Sequence, residues 1–169
     1  CAILGGAVKT KESVRVLPSG HACAVHALRV LAPVSRARYP QAVGVQLKGC
    51  PVGRGQIICK PPLPQTGSEV AVRFFCVFSF NARNDFAVRC ATQSVKASCM
   101  AIRSVRNVDG LKEKGITESF EPGDMVHASI ICSEPLVYDA PHVNITLSRF
   151  VILQREAICA FGIIEETGT

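Results

Sequence analysis

The chain has 169 residues, 48% of them hydrophobic and 19% charged, which excludes a large multidomain enzyme and a wholly disordered chain and leaves one domain or two small ones. No apolar run approaches the ~18 residues of a membrane helix, and the N-terminus lacks the basic, apolar and small-residue regions of a secretory leader, so the sequence reads as soluble. The net charge of +6 is unevenly spread: residues 1–66 carry nine Lys/Arg against the single Glu12, residues 67–114 eight against four acids, and the remainder only Arg149 and Arg155 against eight acids. A basic end and an acidic end point to one surface near a polyanion and another near a different partner.

In chain order the periodicity is strand-like. Val14 and Val16 alternate up to the Pro18-Ser19-Gly20 turn, and residues 42–48 form a second strand that stops at Gly49. Gln56-Ile57-Ile58-Cys59 precedes the proline-rich stretch 60–67, where three prolines exclude a central strand and mark a domain boundary. Beyond it, residues 69–80 read as one long strand whose Val70, Val72, Phe74, Cys76, Phe78 and Phe80 share a face, with Phe75 also assigned to the core. After the turn at 81–85 come strands at 86–90 and 95–101, then 126–132 (fed by the Glu121-Pro122-Gly123-Asp124 turn), 142–147, 150–153 and 158–164. No stretch has sustained helical periodicity with caps. The expected fold is all-β, two consecutive small antiparallel β-barrels over residues 1–62 and 63–169.

A search for chemistry returns little. Gly5-Gly6-Ala7-Val8-Lys9-Thr10 resembles a phosphate loop, but Ala7 and Val8 separate the glycines from the lysine that must converge with them on a phosphate. His21, Cys23 and His26 lack a second ligand pair for zinc, so no metal is assigned, and His127 and His142 read as structural. Nine cysteines, none in a CxxC pair and with no leader before them, read as reduced thiols acting as small hydrophobes; Asn144-Ile145-Thr146 reads as a chance sequon. The terminal Glu165-Glu166 reads as a solvated end. In the basic half, Arg29, Arg36, Arg38, Lys48 and Arg54 are the candidate contacts to RNA or ribosomal phosphates, and the scarcity of aromatic residues there argues against base stacking.

Three segments, in order, carry a family resemblance. Residues 6–18, from Gly6-Ala7-Val8-Lys9 to Val16-Leu17-Pro18, form an opening hairpin pattern; Val43-Gly44-Val45-Gln46-Leu47-Lys48-Gly49 followed by Arg54-Gly55-Gln56-Ile57-Ile58-Cys59-Lys60-Pro61 forms a closing one. Pro122-Gly123-Asp124, Arg149-Phe150-Val151-Ile152 and Ile158-Cys159-Ala160-Phe161-Gly162 form a third. Together they resemble the second and third domains of translational GTPases of the elongation factor Tu and elongation factor 1-alpha superfamily. Cys90-Ala91-Thr92, with Cys99 nine positions on, resembles the eukaryotic branch of elongation factor 1-alpha, the release-factor GTPase and the ribosome-rescue (Pelota-partner) GTPase, and the departure from the elongation factor over 103–120 turns the resemblance toward the release and rescue members. Ser148 stands where the family has glycine, and Leu153-Gln154 where it has arginine-aspartate.

The resemblance implies a translation-factor second-domain barrel, shortened at its N-terminus because the chain opens on Cys1, and a Greek-key third-domain barrel. It implies Arg149, Phe150 and Arg155 as contacts to a tRNA-mimicking protein. It also implies tRNA and the ribosome as partners, a cytoplasmic monomer, and GTP and magnesium in an upstream domain that these residues do not contain, since no P-loop, DxxG or NKxD segment is present. The expected function is therefore that of a non-catalytic binding module. The alternatives left by the residues are a cysteine- or zinc-dependent enzyme on a β scaffold and a generic β-barrel interaction domain.

Overall fold

The computed structural model describes residues 1–109 and 112–165; Glu166 and the side chain of Cys99 lie outside the described residues. The chain is all-β apart from one short helix and divides into two compact units, Cys1–Pro64 and Gln65–Thr169.

The first unit is a half-barrel. Its strands are β1 (Ala7–Lys9), β2 (Ser13–Leu17), β3 (His21–Val30), β4 (Ala32–Val34), β5 (Arg36–Arg38), β6 (Gly44–Lys48) and β7 (Ile57–Cys59). The sheet runs β4-β3-β2-β7 with β6 added to β3, while β1 and β5 form a separate ribbon. Alternation puts Val14, Val16, Cys23, Val25 and Leu28 into a small core. The unit's single acid is fully used: Glu12 takes Lys60 Nζ at 2.8 Å and the Lys9 N–H at 2.8 Å, and these bonds hold its carboxyl below the usual range.

Cys23 and Cys50 are joined by a disulfide with a Cα–Cα distance of 6.2 Å. This corrects the expectation that the cysteines are all reduced. Cys1, Cys76, Cys90, Cys132 and Cys159 are free thiols as expected, but Cys23 on β3 and Cys50 beyond β6 are 27 residues apart and brought together only by the β3–β6 pairing. A closed loop of that length is worth about 3–4 kcal/mol on the chain-entropy estimate, a large share of the stability of so small a core.

The second unit contains β8 (Gln65–Cys76), β9 (Phe80–Asn81), β10 (Phe86–Cys90), β11 (Gln93–Asn107), β12 (Lys112–Lys114), β13 (Ser119–Phe120), β14 (Asp124–Tyr138), α1 (Ile145–Ser148), β15 (Arg149–Gln154) and β16 (Ala157–Ile164). Its sheet order is β10-β15-β16-β8-β14-β11, and β10 pairs back onto β11, so six antiparallel strands close into a barrel. The interior is filled by one side of each strand, including Val72, Phe74, Val88, Val126, Ile130 and Ile152. Gly162 on β16 faces inward where a Cβ would run into the Arg73 carbonyl oxygen and lie 2.7 Å from the Phe74 Cβ. Only a residue without a side chain lets β16 and β8 approach while Phe74 occupies the space.

Two regions differ from expectation. The long strand ends at Cys76, so Phe78 is 64% exposed rather than core, while Phe80 regains the interior from β9. Residues 142–147, expected as a strand, form a turn and α1, because Asn144 accepts the Thr146 N–H at 3.1 Å and supplies an N-cap that the alternation concealed. Leu147 and Ser148 are then buried, and the Leu147 carbonyl accepts the Cys90 thiol. Gln93 spans β11 and β14 by bonding both the N–H and the carbonyl of Val137 at 2.8 Å. Pro135, which has no N–H to donate, sits inside the register shift between Ile131 and Leu136.

Asp124 opens β14 after Gly123, whose φ of 87° only glycine adopts cheaply. The carboxylate is fully buried and accepts from Asn107 Nδ2, Lys114 Nζ and the Glu121 N–H at 2.8–3.0 Å. Burial alone would raise its pKa; the bonds from Lys114, Glu121 and Asn107 outweigh it, and the net direction is down.

Two outcomes are expected. Gly162→Ala lowers stability by about 2 kcal/mol in urea denaturation, because the contact is with backbone that must shift. Since the folded pKa of Asp124 lies below its unfolded value, its stabilisation is complete above the ordinary carboxylate range and is lost as pH falls through the folded pKa. The gap in thermal midpoint between the parent and Asp124→Asn should therefore be constant near neutrality and narrow on acidification below about pH 4.

Candidate docking face and basic surface

The outer side of the closed barrel presents residues that alternate with its core. Strand register aligns Arg89, Val151, Phe161, Phe75 and Met125 in one row across β10, β15, β16, β8 and β14. The adjacent row holds Arg149, Ile163, Arg73 and His127. Between these side chains runs an open groove of about 690 Å³. Phe75 and Phe161 pack ring to ring, with centroids 5.5 Å apart, and Phe161 remains 50% exposed. An exposed aromatic pair on a sheet face is the kind of apolar anchor that protein partners cover.

The arginines around the groove differ in their engagement. Arg73 binds Glu165 at 2.6 Å, and the other oxygen of Glu165 lies 2.6 Å from His127 Nε2. Arg89 and Arg149 are exposed, and neither has an acid within ion-pair distance among the described residues. They stand on neighbouring strands at the groove's edge, their guanidinium groups free for carboxylate or phosphate.

The three residues expected to hold a protein partner are thus separated. Arg149 is on the groove. Phe150, its neighbour on β15, turns its ring the opposite way and is 3% exposed, so the ring packs into the core. Arg155 lies in the exposed turn between β15 and β16, at the far end of the hairpin from Arg149. Arg73, Arg89, Phe75 and Phe161 were missed. Their signal is the phase of the alternation: Arg73 and Phe75 are the odd positions of a strand whose even positions are core.

The five basic candidates of the first unit are all exposed. Arg36 and Arg38 share the outer side of β5, with Ala37 buried between them and Lys9 opposite Arg36. Arg29 and Lys48 lie on β3 and β6, where Arg29 is opposite Gly44 and Lys48 opposite Ala24. Arg54 is in the turn before β7. They occupy two sheets and one turn rather than one cluster, a spacing that suits an extended polyanion better than a small ligand.

The catalytic alternatives lose their chemistry. Gly5 and Gly6 lead into β1, a strand with β2 after it, so no helix N-terminus is there to receive phosphate and the residues do not fit a nucleotide. Cys23 is committed to Cys50, and exposed His26 lies on the opposite side of β3 from buried Cys23. Burial pushes the Cys76 thiol up to about 12 and the Cys90 and Cys132 thiols up to about 11, so they are protonated and inert at neutral pH. His127, read as structural, has Glu165 as its partner, a pairing between positions too distant in sequence to be seen there.

A family model described as GTP-eEF1A C-terminal domain-like matches residues 76–165. No curated protein sequence matches the chain. The crystal structure of Sup35 complexed with GDP superimposes with a TM-score of 0.87 at 14% identity, covering 99% of this chain and 43% of that one. Sup35 complexed with GMPPNP gives 0.79 at 13% identity, with 95% and 41% covered. Apo translation elongation factor SelB from Methanococcus maripaludis gives 0.73 at 16% identity, with 97% and 38% covered. The chain thus spans less than half the length of these structures, and at such identities the likeness is one of fold. The solved structures share the fold of both units, and with the family model matching residues 76–165, more than half of its length, the chain belongs to the eEF1A-like translational GTPase family through that family's C-terminal domain.

Proposed function

We propose that the chain is the tandem β module of a translation elongation, release or ribosome-rescue GTPase. It holds a tRNA or a tRNA-mimicking release or rescue factor and docks it on the ribosome. The observation that carries the reading is the groove on the closed barrel, where Arg89 and Arg149 flank the Phe75–Phe161 pair. Two uncommitted guanidinium groups beside an exposed aromatic pair suit a protein surface with acidic and apolar groups. The release and rescue branch is favoured within the family because such a face offers more to a protein than to a nucleic-acid backbone alone.

The half-barrel supplies the second contact. Its nine Lys/Arg against the single Glu12 give it a charge of +8, and Glu12 is neutralised by Lys60. Arg29, Arg36, Arg38, Lys48 and Arg54 then face RNA phosphates of tRNA or ribosome. GTP and magnesium belong, in this reading, to a GTPase domain upstream in the same polypeptide, and the module itself catalyses nothing. It works in the cytoplasm as a monomer.

Calorimetric titration with a release-factor-like or Pelota-like protein tests the groove. Arg149→Glu should weaken binding by about tenfold or more at unchanged thermal midpoint, while Phe150→Ala should lower the midpoint as a core truncation costing about 3–5 kcal/mol. Unchanged affinity of Arg149→Glu removes the assignment. For the half-barrel, RNA affinity should fall linearly on a log–log plot against salt, and each of Arg36→Gln and Arg38→Gln should reduce the slope by about 0.7–0.9. A slope that ignores both substitutions places the RNA elsewhere.

A further inference from the structure

Neither cysteine of the half-barrel disulfide is one of the proposed contact residues, and its surroundings are informative. Cys23 is 6% exposed on β3, inside the small core, whereas Cys50 is half-buried at the start of the 49–55 loop. That loop has little backbone anchorage of its own. Gly49 and Gly55 both have positive φ, Pro51 has no N–H, and the hydrogen bonds around Gly53 are local, from its N–H to Gln56 Oε1 at 2.7 Å and back from the Gln56 N–H at 3.5 Å. Beyond the β6 ladder, which ends at Lys48 opposite Ala24, the covalent tie at Cys50 fastens the loop to β3. The loop also carries Arg54 at its exposed turn.

The other thiols set the context. Cys1, Cys76, Cys90, Cys132 and Cys159 are all free in the same chain, so the described residues combine reduced cysteines with one disulfide. Three of those thiols are buried with raised pKa and do not compete in exchange. A disulfide with one half-buried cysteine among buried, protonated thiols is the element whose state follows the redox poise around it.

We propose that Cys23–Cys50 is a thiol–disulfide exchange site, opened by a small or protein dithiol, and that its reduction releases the 49–55 loop from β3 while the rest of the half-barrel stays folded. A thiolate of the reductant attacks the sulfur of Cys50, the less buried of the two cysteines, forming a mixed disulfide and expelling Cys23 as a thiolate that takes up a proton inside the core. The reductant's second thiolate then attacks its own sulfur in the mixed disulfide and expels Cys50. The protein gains two electrons and two protons, and the dithiol leaves as a disulfide.

Full-length chain purified without reductant tests this, with dithiothreitol as the dithiol. After acid quench and denaturation, maleimide labelling read by mass spectrometry should mark Cys23 and Cys50 only in the dithiothreitol-treated sample, and oxidised glutathione should restore protection. Under native conditions, tryptic cleavage after Arg54 should accelerate by about fivefold or more on reduction, without matching acceleration after Arg36 or Arg38. Cys50→Ser should cleave at the reduced rate with or without dithiothreitol, and Cys59→Ser should keep the full response. Labelling of both cysteines before reduction overturns the proposal, as does a rate after Arg54 that stays within about twofold between the two states. Equal acceleration after Arg36 and Arg38 overturns it too, because that marks unfolding of the whole unit rather than release of one loop.

Discussion

The closure of six strands into a ring is the constraint on which the rest of the second unit depends. A ring forces every inward side chain into one shared volume, and the tightest point in it is the approach of β16 to β8 at Gly162. Phe74 fills the space that Gly162 leaves, and Phe120 and Phe80 pack against Phe74 in turn, with ring centroids 5.7 and 6.0 Å away. The same closure explains the outer face. Because β16 and β8 are held in register, Phe161 must lie beside Phe75 and Ile163 beside Arg73, and the groove is a direct readout of the pairing that seals the core.

The two units bury very different amounts of apolar surface, and each is secured accordingly. The closed barrel has a continuous aromatic and aliphatic interior together with buried polar clasps at Asp124 and Gln93. The half-barrel has few fully buried residues, and it adds a covalent bond and one engaged carboxylate, Glu12. A chain with a large positive charge and a small core is prone to self-repulsion, and a cross-link offsets this without requiring further apolar residues.

Much of the architecture was legible because a strand's period is two and its interruptions are chemical. The Glu121-Pro122-Gly123-Asp124 turn, the edges of β15 and β16, and the all-β character follow from alternation and from glycine and proline. What was not legible depended on single hydrogen bonds or on distant pairings. The cap made by Asn144 converted an apparent strand into a helical turn, and the disulfide joined residues that only the β3–β6 pairing makes neighbours. At the candidate site, Arg149 was visible within a motif, and Phe150 was carried along with it although adjacent strand residues face opposite ways. Arg89 and Phe161 lie far apart in sequence and became one surface only when the register was known.

Around the six-strand ring each strand is paired on both sides, so among the described residues the sheet offers a partner's backbone an edge only at β12, away from the groove-bearing strands. Recognition at the groove is then a matter of side chains, and those side chains point outward from a scaffold whose folding relies on the opposite set. The two sets can change at different rates. A lineage can redirect the outer rows toward new partners by a few substitutions while the inner rows stay in place, which fits a fold retained at a TM-score of 0.87 where only 14% of residues are identical.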